Sequence, residues 1–371
     1  MKKALVHDWY YINGGAEKVI KSLNNIYKDF DHYALVDFLD DEDRNEILDG
    51  AKVNTSFIQK LPTSKSNHRK FLQLFPYAIE QFDLSEYDIV ISSSAAVSKG
   101  VLTNHNQLHI CYCHSPMRYA WDLYHQYLGD ENFGYLKGIY AKYVLHKIRL
   151  WDRLNSDRVD EFVANSYYVR RRIKKVYRRE STVIYPPVDV DEFELCNIKE
   201  DYYFTASRMV SYKKIKLIVE AFNKMPEKKL IVAGDGSNFK DIKSCAKSNI
   251  SLLGFIDKFD LKDYLSKAKA FVFAAEEDFG IIPVEAQACG TPVIGYNKGG
   301  LTETVINNKT GVLFNDQSTE SIINAVRSFE NLSFDPQEIR KNAERFSRTR
   351  FEKEFRAFVE KKYKDFEIQN N

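Results

Sequence analysis

Two carboxylates, Glu277 and Glu285, stand eight positions apart in AAEEDFGIIPVEAQACGTPVIGYNKGG, across a Phe279-Gly280 turn. The apolar run ending at Ala274 predicts a strand, and Glu277 falls just past its end. Pro283 suits the first turn of a following helix, where its missing N–H is not needed, and Gly290 suits that helix's C-terminal stop. The amides of Gly280, Ile281 and Ile282 then lie at a helix N-terminus, where free N–H groups and the helix dipole attract an anion. Glu285, about one turn in, can point back toward the same place. Carboxylates accept hydrogen bonds from hydroxyls, so carboxylate, anion hole and carboxylate together fit a sugar nucleotide.

Two cations extend this chemistry. Arg208 and Lys213, in ASRMVSYKKIKLIVEAF, follow an expected strand at Tyr203–Ala206, with a helix expected to begin near Lys213. Fixed cations at a strand's carboxyl end neutralise a departing diphosphate without reorganisation. Lys214 stands beside Lys213 and remains an alternative contact. In the N-terminal half, Gly14-Gly15 follows the first expected strand and precedes an amphipathic stretch, so backbone can approach a ligand closely there. His114, in LHICYCHSPMRYAWD, ends an expected strand before a proline turn and should project from the sheet's edge.

The segment from Glu277 to Glu285, with CGTPVI and Gly299-Gly300 after it, resembles the E-x7-E signature of retaining glycosyltransferases of family 4. The resemblance implies the GT-B fold: α/β, two Rossmann-like domains with parallel sheets facing across a cleft. It implies that Arg208 and Lys213 hold the donor diphosphate and that Glu285 accepts from the donor ribose. Glu277 would stand near the donor sugar, with the amides of Phe279, Gly280 and Ile281 near its hydroxyls and phosphate. His114 would lie beside the sugar for positioning, and Gly14 and Gly15 would form the glycine loop near phosphates and acceptor. LIVAGDGSN (Leu230–Asn238) and Gly254-Phe255-Ile256 resemble the wall around the nucleotide base. Asp278 replaces a glycine more usual in the family and leaves the sugar open. RMVSYKK and YPPVD are most similar to bacterial mannosyl- and rhamnosyltransferases of surface-polysaccharide assembly. The implied reaction is metal-independent transfer of a hexose, with GDP-mannose as first donor and a lipid-linked saccharide or glycan as acceptor, and no separate cofactor. A nucleotide-sugar 2-epimerase of the same fold and a non-catalytic glycan-binding protein are the alternatives.

The elements that must position these residues read as short apolar runs alternating with amphipathic stretches, the pattern of parallel sheets covered by helices. Strands are expected at Lys3–His7, Tyr33–Phe38, Tyr87–Ser92, Gln107–Cys113, Glu161–Ala164 and Thr182–Tyr185. In the second half they are expected at Tyr203–Ala206, Lys229–Ala233, Ile250–Leu253, Ala270–Ala274 and Pro292–Ile294. Pro186-Pro187 stiffens a linker, which suggests an N-terminal domain over 1–185 and a nucleotide-sugar domain over 186–347. The remaining 348–371 reads as a helix, and the resemblance implies that it packs back on the N-terminal domain.

Composition excludes several classes. The 371 residues are 44% hydrophobic and 29% charged, with a net charge of +2, as in soluble globular proteins with no polyanion partner. Five scattered cysteines fit a reduced cytosol better than a disulfide framework. No apolar run is long enough to cross a bilayer, so the expectation is a cytoplasmic protein that reaches the inner face of the plasma membrane only peripherally. No G-x-G-x-x-G argues for a dinucleotide. Strand alternation puts His109, Cys111 and Cys113 on one face, about 7 Å apart from next to next, too far for a compact zinc site. Asp189-Val190-Asp191 reads as the end of a strand and a helix cap, with no metal assigned. Seven cations between Arg170 and Arg179, without an acid, suggest an anionic membrane surface, with apolar anchors from Tyr135–Trp151. No aromatic platform is interleaved to favour nucleic acid.

Overall fold

A computed structural model describes residues 1–130 and 134–370. The chain divides into two compact units: Met1–Pro187 with the segment from Phe351 onward, and Val188–Arg350.

Unit 1 carries a seven-stranded sheet, all of whose pairings are parallel, in the order β3-β2-β1-β4-β5-β6-β7. The strands are β1 (Lys3–His7), β2 (Phe30–Ala34), β3 (Val53–Thr55), β4 (Ile89–Ser94), β5 (Leu108–Cys113), β6 (Glu161–Ala164) and β7 (Thr182–Val183). β1, β4 and β5 are buried along their whole length, as expected for strands covered by helices on both faces. Helix α1 (Gly15–Ile26) follows β1 and buries Val19, Ile20 and Leu23 against it. Helices α2 (Tyr135–Asn155) and α3 (Tyr167–Tyr177) lie later in the chain.

The second strand ends earlier than the sequence suggests. The Tyr33–Phe38 expectation is replaced by Phe30–Ala34, because β1 stops at His7 and offers no regular ladder beyond it. Residues 35–38 pair instead with the loop after β1, through Tyr10 N–H to Val36 O at 2.9 Å and Phe38 N–H to Tyr10 O at 2.9 Å.

Unit 2 carries a six-stranded sheet, again with every pairing parallel, in the order β10-β9-β8-β11-β12-β13. Its strands are β8 (Tyr203–Ala206), β9 (Leu230–Ala233), β10 (Ile250–Gly254), β11 (Ala270–Phe273), β12 (Val293–Tyr296) and β13 (Gly311–Phe314). Helix α4 (Ile215–Phe222) packs Ile218, Val219 and Phe222 into a core with Leu230, Val232 and Val272. Each such buried side chain is worth about 1.5–3 kcal/mol. Helix α5 (Ile281–Ala288) follows β11. The last helix, α6 (Arg348–Asn370), buries Phe351, Phe355 and Val359 in the core of unit 1, where the Phe351 ring meets Tyr112 at 5.7 Å.

Strand order reverses direction between β1 and β4 in one sheet and between β8 and β11 in the other. In open parallel sheets, ligands bind beyond the carboxyl ends of strands at such reversal points. Both candidate clusters lie there.

Candidate functional site

In unit 2, the loop after β8 carries Arg208 and Lys213, and the loop after β11 carries Glu277. The Lys213 ammonium pairs with the Glu277 carboxylate, both half-buried at 18% side-chain exposure. The helix expected from Lys213 begins later. A 3₁₀ turn covers Ser211–Lys213, Lys214 is left-handed (φ +59°), and α4 starts at Ile215. That kink separates the lysines: Lys213 turns to Glu277, while Lys214 lines a cavity of about 350 Å³ with Ser211, Asn238 and Asp241. Arg208 is exposed and donates from Nη2 to the Tyr212 hydroxyl at 2.8 Å.

Gly280 caps α5 with φ +86°, a conformation that side-chain-bearing residues rarely adopt, and no side chain caps the helix. The N–H groups of Gly280, Ile281 and Ile282 thus open the helix, with Pro283 behind them. The Phe279 ring is buried edge-on against Phe346 at 5.4 Å. Glu285 is the fifth helical residue and is 5% exposed. Carboxylates are seldom so buried without partners.

A second close approach holds Glu277 in place. Gly300 N–H donates to the Glu277 carbonyl at 2.8 Å, and a Cβ on Gly299 would fall 2.3 Å from that same oxygen. The Leu230–Asn238 segment meets the Arg208 loop through Met209 N–H to Asp235 O at 2.8 Å, and Gly234 N–H donates to Gly254 O at 2.7 Å. Phe255 is exposed beside that contact.

In unit 1, four side chains converge at the ends of β1, β4 and β5. His114 Nε2 lies 2.7 Å from the Ser93 hydroxyl, and His7 Nδ1 lies 3.2 Å from that hydroxyl and 3.1 Å from the Ser93 carbonyl. A carbonyl only accepts, so His7 Nδ1 carries a proton. His7 Nε2 faces Glu17 Oε1 at 3.6 Å. Burial opposes charge on His7, yet Glu17 outweighs it and holds the ring above its ordinary value. The Ser93 hydroxyl therefore accepts from His7 and donates to His114 Nε2, leaving Nδ1 as the N–H of a neutral His114. Burial, then the charge of His7, push His114 down to about 3. Gly14, at the start of α1, donates its N–H to Glu17 Oε2 at 3.1 Å, and Gly15 is the first helical residue. Gly14 has ordinary extended backbone (φ −111°), so it is a cap rather than a left-handed turn.

His7, Glu17, Ser93 and Tyr212 were not singled out in the sequence. The signals were present: His7 ends an apolar strand as His114 does, Glu17 stands three residues after Gly14 in a capping-box pattern, and Ser93 lies in a serine run closing β4.

Other candidates have structural roles. His109 Nε2 meets Ser92 Oγ at 2.8 Å, and Cys111 and Cys113 pack with Val159 and Phe162. Among the described residues no cluster could hold a metal. Asp189 is ion-paired to Arg348 and immediately precedes a 3₁₀ turn over Val190–Glu192. The Arg170–Arg179 run divides between inward and exposed cations. Arg172 is buried, donating to Ser115 Oγ at 2.7 Å and paired with Asp122, and Arg179 donates to the Ser156 and Asp160 carbonyls at 2.9 Å. Arg170, Arg171, Lys174, Lys175 and Arg178 remain exposed, with Lys174 paired to Glu180.

Arg208, Lys213 and Glu277 thus lie beyond the strand ends of the unit 2 sheet, where open parallel α/β sheets take their ligands. The sequence model for Glycosyltransferase Family 4 matches residues 13–192, and that for Glycosyl transferases group 1 matches 191–346. The chain belongs to these family-4 glycosyltransferases and has the GT-B fold. It is 25% identical over 280 residues to the alpha-1,3/1,6-mannosyltransferase alg2 of Schizosaccharomyces pombe, covering 61% of this chain and 52% of that protein. It is 24% identical over 326 residues to ALG2 of Eremothecium gossypii, covering 72% and 61%. The matches thus span about half to three-fifths of those relatives' lengths. Among solved structures, Anabaena Alr3699/HepE in complex with UDP matches with a TM-score of 0.70 at 16% identity, covering 97% of this chain and all of that one. Sucrose-phosphate synthase from Thermosynechococcus elongatus matches with a TM-score of 0.74 at 16% identity, over 98% and 100%.

Proposed function

We propose that this glycosyltransferase moves a hexose from a nucleoside diphosphate to an acceptor hydroxyl with retention of anomeric configuration and without a metal. The observation that carries the reading is the pairing of Lys213 with Glu277 at the strand reversal between β8 and β11. Lys213 and Arg208 supply positive charge for the diphosphate as the bond from the sugar C1 to its oxygen breaks. The N–H groups opening α5 add donors, in an environment where fixed dipoles act without reorganising. Glu285 accepts from the ribose hydroxyls, and Glu277 from the sugar. The acceptor oxygen bonds to C1, and its proton passes to the leaving phosphate, so no protein nucleophile is required. In unit 1, neutral His114 donates from Nδ1 to a substrate oxygen, a positioning role that a proton-sharing base would not fill.

GDP-mannose is the first donor, supported by the mannosyltransferase relatives, and a lipid-linked saccharide or glycan of bacterial surface polysaccharide is the acceptor. Such an enzyme works in the cytoplasm, where nucleotide sugars are made. The test is turnover of GDP-mannose with a lipid-linked acceptor, following the product's anomeric proton and adding EDTA. Retained configuration and EDTA-insensitive turnover support the reading. An inverted product or loss of activity with EDTA contradicts it.

A further inference from the structure

His7 lies between two groups that can only accept. Its Nδ1 stands 3.1 Å from the Ser93 carbonyl, and its Nε2 faces Glu17 Oε1 at 3.6 Å. A proton on each ring nitrogen is the arrangement that sets no lone pair against either oxygen, so His7 is an imidazolium. A buried charge needs a partner at close range, and both residues are buried, His7 at 3% and Glu17 at 6% exposure. Glu17 is held in turn by Gly14, whose N–H donates to Oε2 at 3.1 Å.

The other ionisable groups around His7 leave this role to Glu17. The Asp8 carboxylate, next in the chain, is occupied by the N–H groups of Ala95, Ala96, Val97 and Ser98. Burial takes His32, from β2, down to about 4 and holds the Tyr10 hydroxyl well above its ordinary range, so both are neutral. The Tyr10 ring lies 5.0 Å from that of His7, and the neutral His114 ring lies 6.5 Å away.

The Ser93 hydroxyl has one proton to give, and it stands 3.2 Å from His7 Nδ1 and 2.7 Å from His114 Nε2. With His7 charged, that proton goes to His114. When His7 releases one proton to water, the Glu17 carboxylate keeps the one on Nε2, because that contact is charge-assisted. His7 Nδ1 then becomes a lone pair. Ser93 turns its proton to His7 and accepts from His114 Nε2. The His114 ring carries one proton throughout, but its Nδ1 changes from donor to acceptor.

We propose that Glu17 is a positioning residue: by holding the second proton on His7 it sends the Ser93 proton to His114, so that His114 offers an N–H at Nδ1, and loss of that second proton reverses the chain. Use of that N–H by a substrate rests on the proposed function; the order of the protons does not.

Nitrogen-15 NMR of the histidine-labelled full chain, followed from about pH 6 to about pH 10 and assigned with His7→Gln and His114→Asn, tests it. The native chain should begin with both His7 nitrogens protonated and His114 protonated at Nδ1. As His7 loses a proton, His114 should pass to the Nε2 form with the same midpoint. In Glu17→Gln the amide oxygen stays on Gly14 N–H and the amide N–H donates to His7 Nε2. His7 should then carry one proton, at Nδ1, across the range, and His114 should keep its Nδ1 proton. Native kcat should fall by about tenfold through the His7 titration, and Glu17→Gln should show no such fall. A purely structural Glu17 would move neither the tautomer nor the pH profile. A native His114 whose tautomer does not change over the range, a native His7 with one proton at its acid end, or a Glu17→Gln chain that titrates as the native one does would each overturn the proposal. Absent turnover beside the expected NMR result would count against the proposed function and leave the assignment of Glu17 supported.

Discussion

The Ser93 hydroxyl lies 2.7 Å from His114 Nε2, and Ser93 itself is fully buried. With His7 Nδ1 donating to that hydroxyl, its own proton is left for His114 Nε2, and Nδ1 becomes the donating nitrogen of His114. Replacing Ser93 by alanine removes the donor to Nε2 and frees the ring to change tautomer. We expect Ser93→Ala to lower kcat by about tenfold, with KM for the donor changed little, at a stability loss of about 1–3 kcal/mol. Nitrogen-15 NMR of labelled histidine should show His114 protonated at Nδ1 in the native chain and a mixed population in the variant. An Nε2-protonated His114 in the native chain would contradict the arrangement.

Four histidines have folded values below the ordinary one: burial takes His32, His68 and His109 to about 4 and His114 to about 3. In the unfolded chain they take up protons near pH 6.5, whereas in the folded chain they do not until near pH 4 or below. Stability therefore rises with pH across that window and falls as pH drops from about 6.5 toward 4, by up to about 1.4 kcal/mol per pH unit for each such group. His7 has the opposite sign: its raised value contributes stability below pH 6.5 that is lost as pH rises through its folded value. The Tm should fall between pH 6.5 and 5, where most carboxylates stay ionised. A flat Tm across that range would show that these rings are not held neutral.

The Lys213–Glu277 pair links the loops after β8 and β11. Lys213→Ala and Glu277→Ala should each lower turnover by about 10²–10³. Combined, they should lose much less than the product of the two effects, because each single change leaves the other charge without its partner. Full additivity would mean that the two groups act independently.

Asp8 is a structural counterpart in unit 1. Its carboxylate accepts from the N–H groups of Ala95, Ala96, Val97 and Ser98 at 2.7–2.9 Å and is almost fully buried. Asp8→Ala leaves four buried donors, and urea unfolding should show a loss of about 3 kcal/mol or more. A loss near zero would mean that the 95–98 loop rearranges to find other acceptors.

Much of this architecture was legible because a parallel strand buried on both faces is a run of apolar residues. β1, β6 and β8 coincide with the expected segments, and Glu277, Arg208 and His114 fall just past strand ends as their sequence context suggests. β3 and β13 were not foreseen. The first is three residues of mixed polarity and the second a four-residue edge segment, Gly311–Phe314, so neither carries a long apolar signal. The left-handed Lys214 was also invisible, since tertiary packing, not local preference, holds a lysine in that conformation. The run from Arg170 to Arg179 was legible only as a charge count. Charge count alone does not reveal that Arg172 is buried on Ser115 or that Arg179 donates to the Ser156 and Asp160 carbonyls, and only the fold separates those from the exposed cations.

Unit 2 is proposed to grip a nucleoside diphosphate through Lys213 and its neighbours. Thermal melting with GDP, UDP, dTDP and NAD reads it directly, because a ligand that binds the folded state raises the Tm by mass action. GDP should raise the Tm by the largest amount and NAD should not raise it, and Lys213→Ala should abolish the GDP shift while keeping the ligand-free Tm close to native. If no nucleoside diphosphate shifts the native chain, or if Lys213→Ala responds to GDP as the native chain does, the donor site is elsewhere.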